Sequence, residues 1–105
     1  MKFSNISSNI NVQGSTIDVG GLFGIAHYGN TFENITCSGD VRSTSKAKEL
    51  GGIAGVWNNG GANVTFTNCK FEGKLTANVA ADLSNNTIVG AAYNKTGNGT
   101  LIIDS

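Results

Sequence analysis

Residues that could catalyse a reaction are few and scattered in this chain. A lyase or hydrolase acting on a polysaccharide needs two or three carboxylates, or a carboxylate–calcium site, on one face. The seven acidic residues instead occupy different positions of an internal repeat, so no two are expected to lie one above the other. These residues are Asp18, Glu33, Asp40, Glu49, Glu72, Asp82 and Asp104. The sequence therefore predicts no pair of catalytic acids, and we expect the protein not to be an enzyme.

His27 and the two cysteines do not complete a catalytic or metal-binding set. A nucleophilic triad needs a serine or cysteine and an acid beside the histidine, and nothing in the pattern brings Cys37 to His27. One histidine among scattered acids predicts no metal site and no cofactor. Cys37 and Cys69 fall at different repeat positions, as diagonal neighbours roughly 7–8 Å apart, which is beyond comfortable disulfide reach. We therefore expect two buried free thiols.

Aromatic and amide side chains form the most suggestive group for binding. His27 and Tyr28 follow the first Gly-Gly segment, Trp57 follows the second and Tyr93 ends the third. On one edge of a stack of repeats, these rings would form a ridge that stacks on sugar rings, with amides beside it for hydrogen bonds. The amides are Asn58, Asn59 and Asn94. The more ordinary alternative is that Trp57 or Tyr28 folds back to cover a corner of the core.

The composition indicates which elements would position these residues. The 105 residues suit one domain, residues 1–105, and nearly half of them are glycine, asparagine, threonine or serine. Proline is absent and no long run of helix-forming residues occurs, which favours many short strands joined by turns. Seven basic residues balance seven acidic ones, so nucleic acid is not an expected partner.

The apolar residues are too dispersed to insert into a membrane. No stretch approaches the roughly 18 apolar residues that a membrane span requires. The residues after Met1 soon become polar, so we expect no signal-peptide core in this segment. We expect either a cytoplasmic chain or, preferably, a piece of a longer exported protein.

Two sequence blocks recur with a period of about 30 to 35 residues. The first block reads VGGLFG at 19–24, LGGIAG at 50–55 and, more weakly, IVGAAY at 88–93. The second block begins at Phe3, Phe32 and Phe66, and a truncated last copy begins near Thr100. A strand-like repeat buries its apolar side only when copies stack, so the sequence predicts a parallel β-solenoid.

Stacking would place like residues in columns. The predicted columns are Phe3, Phe32 and Phe66; Asn5, Asn34 and Asn68; Ile6, Ile35 and Cys69; and Val12, Val41 and Leu75. Asparagine can hydrogen-bond to the copies above and below it, so we interpret that column as a ladder rather than a ligand contact. Asp40 is expected beside Lys74 as an exposed ion pair. The segments at 43–49 and 77–83 are expected to be insertions, the second with one helical turn.

The pattern Gly-Gly-Leu-Phe-Gly at 20–24, followed after a loop by Phe-x-Asn-Ile-x-x-x-Gly-x-Val at 32–41, resembles the GLUG repeat. That repeat occurs in bacterial surface adhesins and beside the peptidase domain of some immunoglobulin A1 proteases. The segments at 51–55 and 66–75 match it equally well, whereas the third copy keeps a single glycine. The resemblance spans roughly residues 3–103. It implies an all-β fold, a short right-handed parallel β-helix of about three coils.

The resemblance also implies a function. It points to a non-catalytic, cell-surface adhesin-type module that displays loops and can bind glycan or a host surface protein, at the bacterial surface or outside the cell. Neighbouring repeats or further copies of the chain would cover the coil ends. The alternatives are a fragment of a carbohydrate-active β-helix enzyme and a passive stalk or spacer beside a peptidase domain. Ice binding is less favoured, because Thr31, Thr65 and Thr100 form only one column.

Overall fold

The structure is a computed structural model, and it describes residues 1–14, 18–44, 49–58, 60–77, 88–90 and 97–104. These ranges contain twelve short strands and no helix. The strands are β1 (Lys2–Ser8), β2 (Val12–Gly14), β3 (Asp18–Gly20), β4 (Phe23–Ala26), β5 (Thr31–Cys37), β6 (Val41–Ser43), β7 (Glu49–Gly51), β8 (Ala54–Trp57), β9 (Val64–Thr67), β10 (Lys70–Phe71), β11 (Leu75–Ala77) and β12 (Leu101–Asp104). The protein is all-β, as its turn-rich composition predicts.

The strands form four parallel sheets, which the chain visits in a constant order. Sheet A contains β1, β5, β9 and β12, with β10 beside β5; sheet B contains β2, β6 and β11; sheet C contains β3 and β7; and sheet D contains β4 and β8. We call one passage through the sheets a circuit. The first circuit is β1 to β4, the second is β5 to β8, the third begins at β9 and the fourth at β12. Parallel neighbours need a long connection, and the strands of the other sheets supply it.

Like residues lie directly beside one another in sheet A. Phe3 pairs with Phe32, and Phe32 pairs with Phe66. Their rings stack with centroid separations of 5.2 and 4.7 Å and interplanar angles of 9° and 14°. Phe66 is fully buried, with 0% of its surface exposed. The same registers align Ile6 with Ile35, and in sheet B they align Val12, Val41 and Leu75. The predicted apolar columns are thus confirmed at these positions.

A polar column in sheet A forms the predicted asparagine ladder. Asn5, Asn34 and Asn68 have left-handed φ angles of 60°, 55° and 51°. Asn34 Nδ2 donates to Asn5 Oδ1 at 3.2 Å, and Asn68 Nδ2 donates to Asn34 Oδ1 at 2.7 Å. Asparagine tolerates this backbone region better than most residues. The amides therefore serve the fold by bonding to one another.

Glycine occupies the bend between sheets A and B, where successive circuits approach closely. A Cβ on Gly39 would lie 2.0 Å from the carbonyl oxygen of Ile10, and one on Gly73 would lie 2.0 Å from the carbonyl oxygen of Gly39. Any side chain at these two positions would force the backbones apart. The close approach of the backbones thus explains why both positions hold glycine.

The third Gly block is shifted relative to its predicted alignment. Val89 pairs with Ala54, so Gly90 lies at the level of Gly55 rather than Gly52. A Cβ on Gly90 would lie 1.9 Å from the carbonyl oxygen of Gly55. The third circuit therefore retains glycine at the point where its backbone contacts the second circuit. Aligning the repeats by identical residues did not reveal this position.

Asp40 and Lys74 are neighbours, but their contact is not the predicted ion pair. Asp40 Oδ1 accepts a hydrogen bond from the backbone amide of Lys74 at 3.0 Å, and Asn11 Oδ1 accepts one from the backbone amide of Asp40 at 2.9 Å. Aspartate and asparagine both offer the oxygen that the next circuit's amide needs. An ion pair that the structure does describe joins Lys2 Nζ to Glu33 Oε2 at 2.8 Å. The expectation that no two acidic residues share a column is wrong, because Asp18 pairs with Glu49 in sheet C.

The predicted threonine column holds for only two of its members. Thr31 pairs with Thr65, but Thr65 then pairs with Ile102, because the connection to the last strand is longer than the repeat. Ala77, the first residue of the predicted helical turn, ends β11, and the rest of that turn at 78–83 lies outside the described residues. The middle of the first insertion, residues 45–48, lies outside them as well. Among the described ranges, no helix is long and apolar enough to cross a membrane.

Candidate functional site

Trp57 lies against the core instead of on an exposed edge. It ends β8 and pairs with Ala26, which is fully buried. Paired residues of neighbouring parallel strands point to the same side of their sheet, and the indole packs against the buried cluster that includes Phe32 and Phe66. A large Trp57 beside a small Ala26 is the alternation of sizes that lets side chains interdigitate in a protein interior. The geometry supports the alternative in which Trp57 covers a corner of the core.

His27 and Tyr28 lie at the surface, in the turn between β4 and β5. Their ring centroids are 4.9 Å apart with 46° between the ring planes, and 43% of Tyr28 is exposed. Gly29 completes the turn with a φ of 78°, a conformation that favours glycine. Its amide donates to the carbonyl oxygen of Asn63 at 2.9 Å, which ties the turn to the next circuit.

Residues from the second circuit support these two rings. Asn58 Nδ2 lies 3.5 Å from His27 Nε2, and the amide can donate to this nitrogen in the tautomer that carries its proton on Nδ1. The Tyr28 ring lies over Gly60, where a Cβ would come within 2.5 Å of Tyr28 Cδ1. We call His27, Tyr28 and Asn58 the aromatic turn. Asn59, Tyr93 and Asn94, the remaining members of the predicted ridge, lie outside the described residues.

The aromatic turn has the chemistry of a binding surface. The exposed face of a tyrosine ring can stack on the apolar face of a sugar, while an amide and an imidazole beside it can hydrogen-bond to hydroxyl groups. In the described part of the chain, no group of three or more His, Cys, Asp or Glu side chains is arranged to hold a metal ion.

A second polar surface lies outside sheet B and was missed by the sequence-based reasoning. It is a shallow cavity of about 220 Å³, lined by Asn11, Val12, Gln13, Asp40 and Arg42. Gln13 pairs with Arg42, and both side chains are exposed, whereas the preceding pair of valines packs on the core. The sequence feature that could have revealed this surface is the outward column that contains Gln13 and Arg42, because its residue type changes from circuit to circuit. We call the surface the sheet B cavity.

Cys37 and Cys69 are buried free thiols, as predicted. Burial raises the pKa of both thiols, and the nearby Cys69 raises the pKa of Cys37 further. Cys69 Sγ lies 3.4 Å from the carbonyl oxygen of Phe32 and 3.5 Å from that of Thr67. Both cysteines therefore pack as small apolar residues with weak donors.

Comparison with known proteins identifies no relative. No protein-family model, curated protein or solved structure matches the chain. The resemblance to the GLUG repeat therefore rests on the residue pattern itself, and the function has to be argued from the aromatic turn and the sheet B cavity.

Proposed function

We propose that the chain is a short right-handed parallel β-helix of the GLUG-repeat type. The support is the register: sheets A to D each pair strands from successive circuits in parallel, with partners about 30 residues apart in the chain. A right-handed sense follows from the strong general preference of parallel crossover connections. Each coil then consists of short strands separated by bends such as the one at Gly39.

The proposed function of this β-helix is that of a non-catalytic, adhesin-type module of an exported bacterial protein, which presents the aromatic turn to a glycan. The observation that carries the proposal is that the rings of His27 and Tyr28 are exposed, yet their turn is held by the next circuit. A ring that is already positioned loses little conformational freedom on binding. Glycans of a host surface, free or attached to protein, are the partners that suit this chemistry.

A glycan array with matched variants tests the proposal. Wild-type protein is expected to bind a subset of glycans, and Tyr28→Ala is expected to reduce that signal about tenfold or more, because it removes the stacking face. Tyr28→Phe should retain most of the signal, since it keeps the ring. Ile10→Ala, which changes an exposed residue at a different bend, serves as the control. A wild type that binds no glycan would contradict the proposal and favour a passive spacer. Equal signals for wild type and Tyr28→Ala would contradict the role of the aromatic turn and place glycan binding elsewhere on the protein.

A further inference from the structure

The sheet B cavity contains an arginine that forms no ion pair with the side chains that the structure describes. Arg42 is exposed on the outer face of β6. Within the part of the chain whose side chains the structure describes, no carboxylate lies within 4.0 Å of the Arg42 guanidinium. A guanidinium presents its donors as a planar fork that matches both oxygens of a carboxylate. Arg42 is therefore available to bind an acidic group at the rim of the cavity.

The remaining polar groups of the cavity are held in place by bonds between circuits. Asn11 Oδ1 accepts from the amide of Asp40, and Asp40 Oδ1 accepts from the amide of Lys74. These bonds leave the Asn11 Nδ2 donor and the second oxygen of Asp40 for a ligand, and Gln13 adds a further amide. Polar atoms fixed in this way are the kind that orient a bound small molecule.

The combination of Arg42 with Asp40 restricts the ligand chemistry. A sulfate offers only acceptor oxygens, which would face the Asp40 carboxylate unfavourably. A neutral sugar offers hydroxyl groups to Asp40 but no anion to Arg42. A sugar that carries a carboxylate satisfies both residues, because its acid group meets Arg42 while its hydroxyls donate to Asp40 and accept from the amides.

We propose that the sheet B cavity binds one carboxylate-bearing sugar unit, such as a uronic acid residue of a glycan. The inference rests on the proposed glycan-binding function and adds to it a second subsite on another sheet. The volume of about 220 Å³ is below the roughly 300–1,000 Å³ typical of sites for larger ligands, which suits a single ring. The open shape of the site leaves the ring's neighbours in a chain free to extend into solvent.

An amide-resolved NMR titration of the whole chain tests the cavity directly. The probes are methyl glucuronide, methyl glucoside and sodium sulfate, compared at equal ionic strength. We expect methyl glucuronide to shift the amide signals of Asn11, Gln13 and Arg42 in a saturable manner. Methyl glucoside should bind at least about tenfold more weakly than methyl glucuronide. Sulfate should cause no saturable shift. The proposal is overturned if these amides do not respond to the glucuronide, or if sulfate or the glucoside gives the same response.

Three variants separate the roles of the charges. Arg42→Gln should weaken glucuronide binding about tenfold or more, since it removes the charged fork. Lys74→Gln removes a nearby exposed cation that does not line the cavity, and it should leave binding unchanged. Asp40→Asn keeps an oxygen for the Lys74 amide, as Asn11 does for Asp40, and should reduce the preference for the glucuronide over sulfate. Equal losses in Arg42→Gln and Lys74→Gln would indicate general electrostatics and contradict the site.

The same variants distinguish failure of the cavity from failure of the proposed function. Glycan-array binding that is lost in Tyr28→Ala but unchanged in Arg42→Gln would overturn the cavity and leave the aromatic turn as the binding surface. In the opposite case, Tyr28→Ala leaves the saturable binding of glucuronide unchanged, and no array signal depends on Tyr28. That result would support the cavity and contradict the role proposed for the aromatic turn.

Discussion

Sheets A and B are built by the same circuits, but they use their columns differently. In sheet A the phenylalanines stack ring on ring and the asparagines bond amide to amide. In sheet B the inward column that contains Val41 stays apolar, whereas two outward columns change residue type at each step. These outward columns are Asn11, Asp40 and Lys74, and Gln13, Arg42 and Thr76. Repeated residues stabilise one another across circuits, so the comparison indicates that the phenylalanine and asparagine columns of sheet A maintain the fold. The exposed outward residues of sheet B, above all Arg42, are the ones for which we propose a ligand.

The largest effect is expected from truncating the phenylalanine column. Phe66→Ala should destabilise the protein by about 3–5 kcal/mol, because it removes a fully buried ring and leaves a cavity beside Phe32. Phe3→Ala, in the partly buried first circuit, should cost less. Urea unfolding followed by circular dichroism measures both changes. Equal, small effects for the two variants would contradict a core organised by this column.

The asparagine ladder should give the next largest effect. Asn34→Ala removes the hydrogen bonds to both neighbouring asparagines and places alanine at a φ of 55°, so a loss of about 1–3 kcal/mol is expected. Asn34→Gly removes the same bonds but relieves the backbone strain, and it should be the more stable of the two variants. Urea midpoints distinguish them. Asn34→Ala with wild-type stability would contradict the ladder.

The buried thiols predict a smaller, pH-dependent effect. Because burial raises the pKa of Cys37 and Cys69, both thiols stay protonated in the folded protein at a pH where the unfolded chain begins to ionise. Unfolded thiols ionise near pH 8.5, so the free energy of unfolding should fall as the pH rises above about 8. The Cys37→Ala/Cys69→Ala variant should show a flatter profile between about pH 7 and 9.5. Parallel profiles would contradict ionisation of these thiols as the cause.

The smallest effect is expected for the outward columns of sheet B. Arg42→Gln and Thr76→Ala should each change the free energy of unfolding by no more than about 0.5 kcal/mol, because both side chains are exposed. Thermal unfolding of the two variants beside wild type provides the measurement. A loss of about 2 kcal/mol in either variant would show that sheet B relies on its outward side chains as sheet A relies on its ladder.

Much of the fold could be predicted from the sequence because stacking repeats the same environment. Phe3, Phe32 and Phe66 occupy equivalent sites, so their spacing in the chain directly reports the register of β1, β5 and β9. The left-handed bend at Asn34 likewise recurs in each circuit, and asparagine is one of the few residues that fits it. Identity between copies therefore revealed the parallel pairing and the ladder.

The proposed binding surfaces were harder to predict because they depend on differences between copies. A shift of one residue separates Trp57, which pairs with buried Ala26, from Asn58, which lies beside exposed His27. An alignment of the repeats on their glycines does not locate the end of a strand to within one residue, so it cannot distinguish these two positions. The sheet B cavity has no repeated motif at all, since it combines side chains from two circuits whose outward residues differ.

The stacking of circuits in parallel register is tested most directly by nuclear Overhauser contacts in solution. We predict ring–ring contacts between Phe3 and Phe32 and between Phe32 and Phe66, but none between Phe3 and Phe66, because the middle ring separates the outer two. Contacts across sheet A should connect backbone protons 29 residues apart between β1 and β5, as in the pair Phe3 and Phe32. Close Hα–Hα contacts between sequential strands, with no contact between Phe32 and Phe66, would indicate antiparallel hairpins and contradict the account.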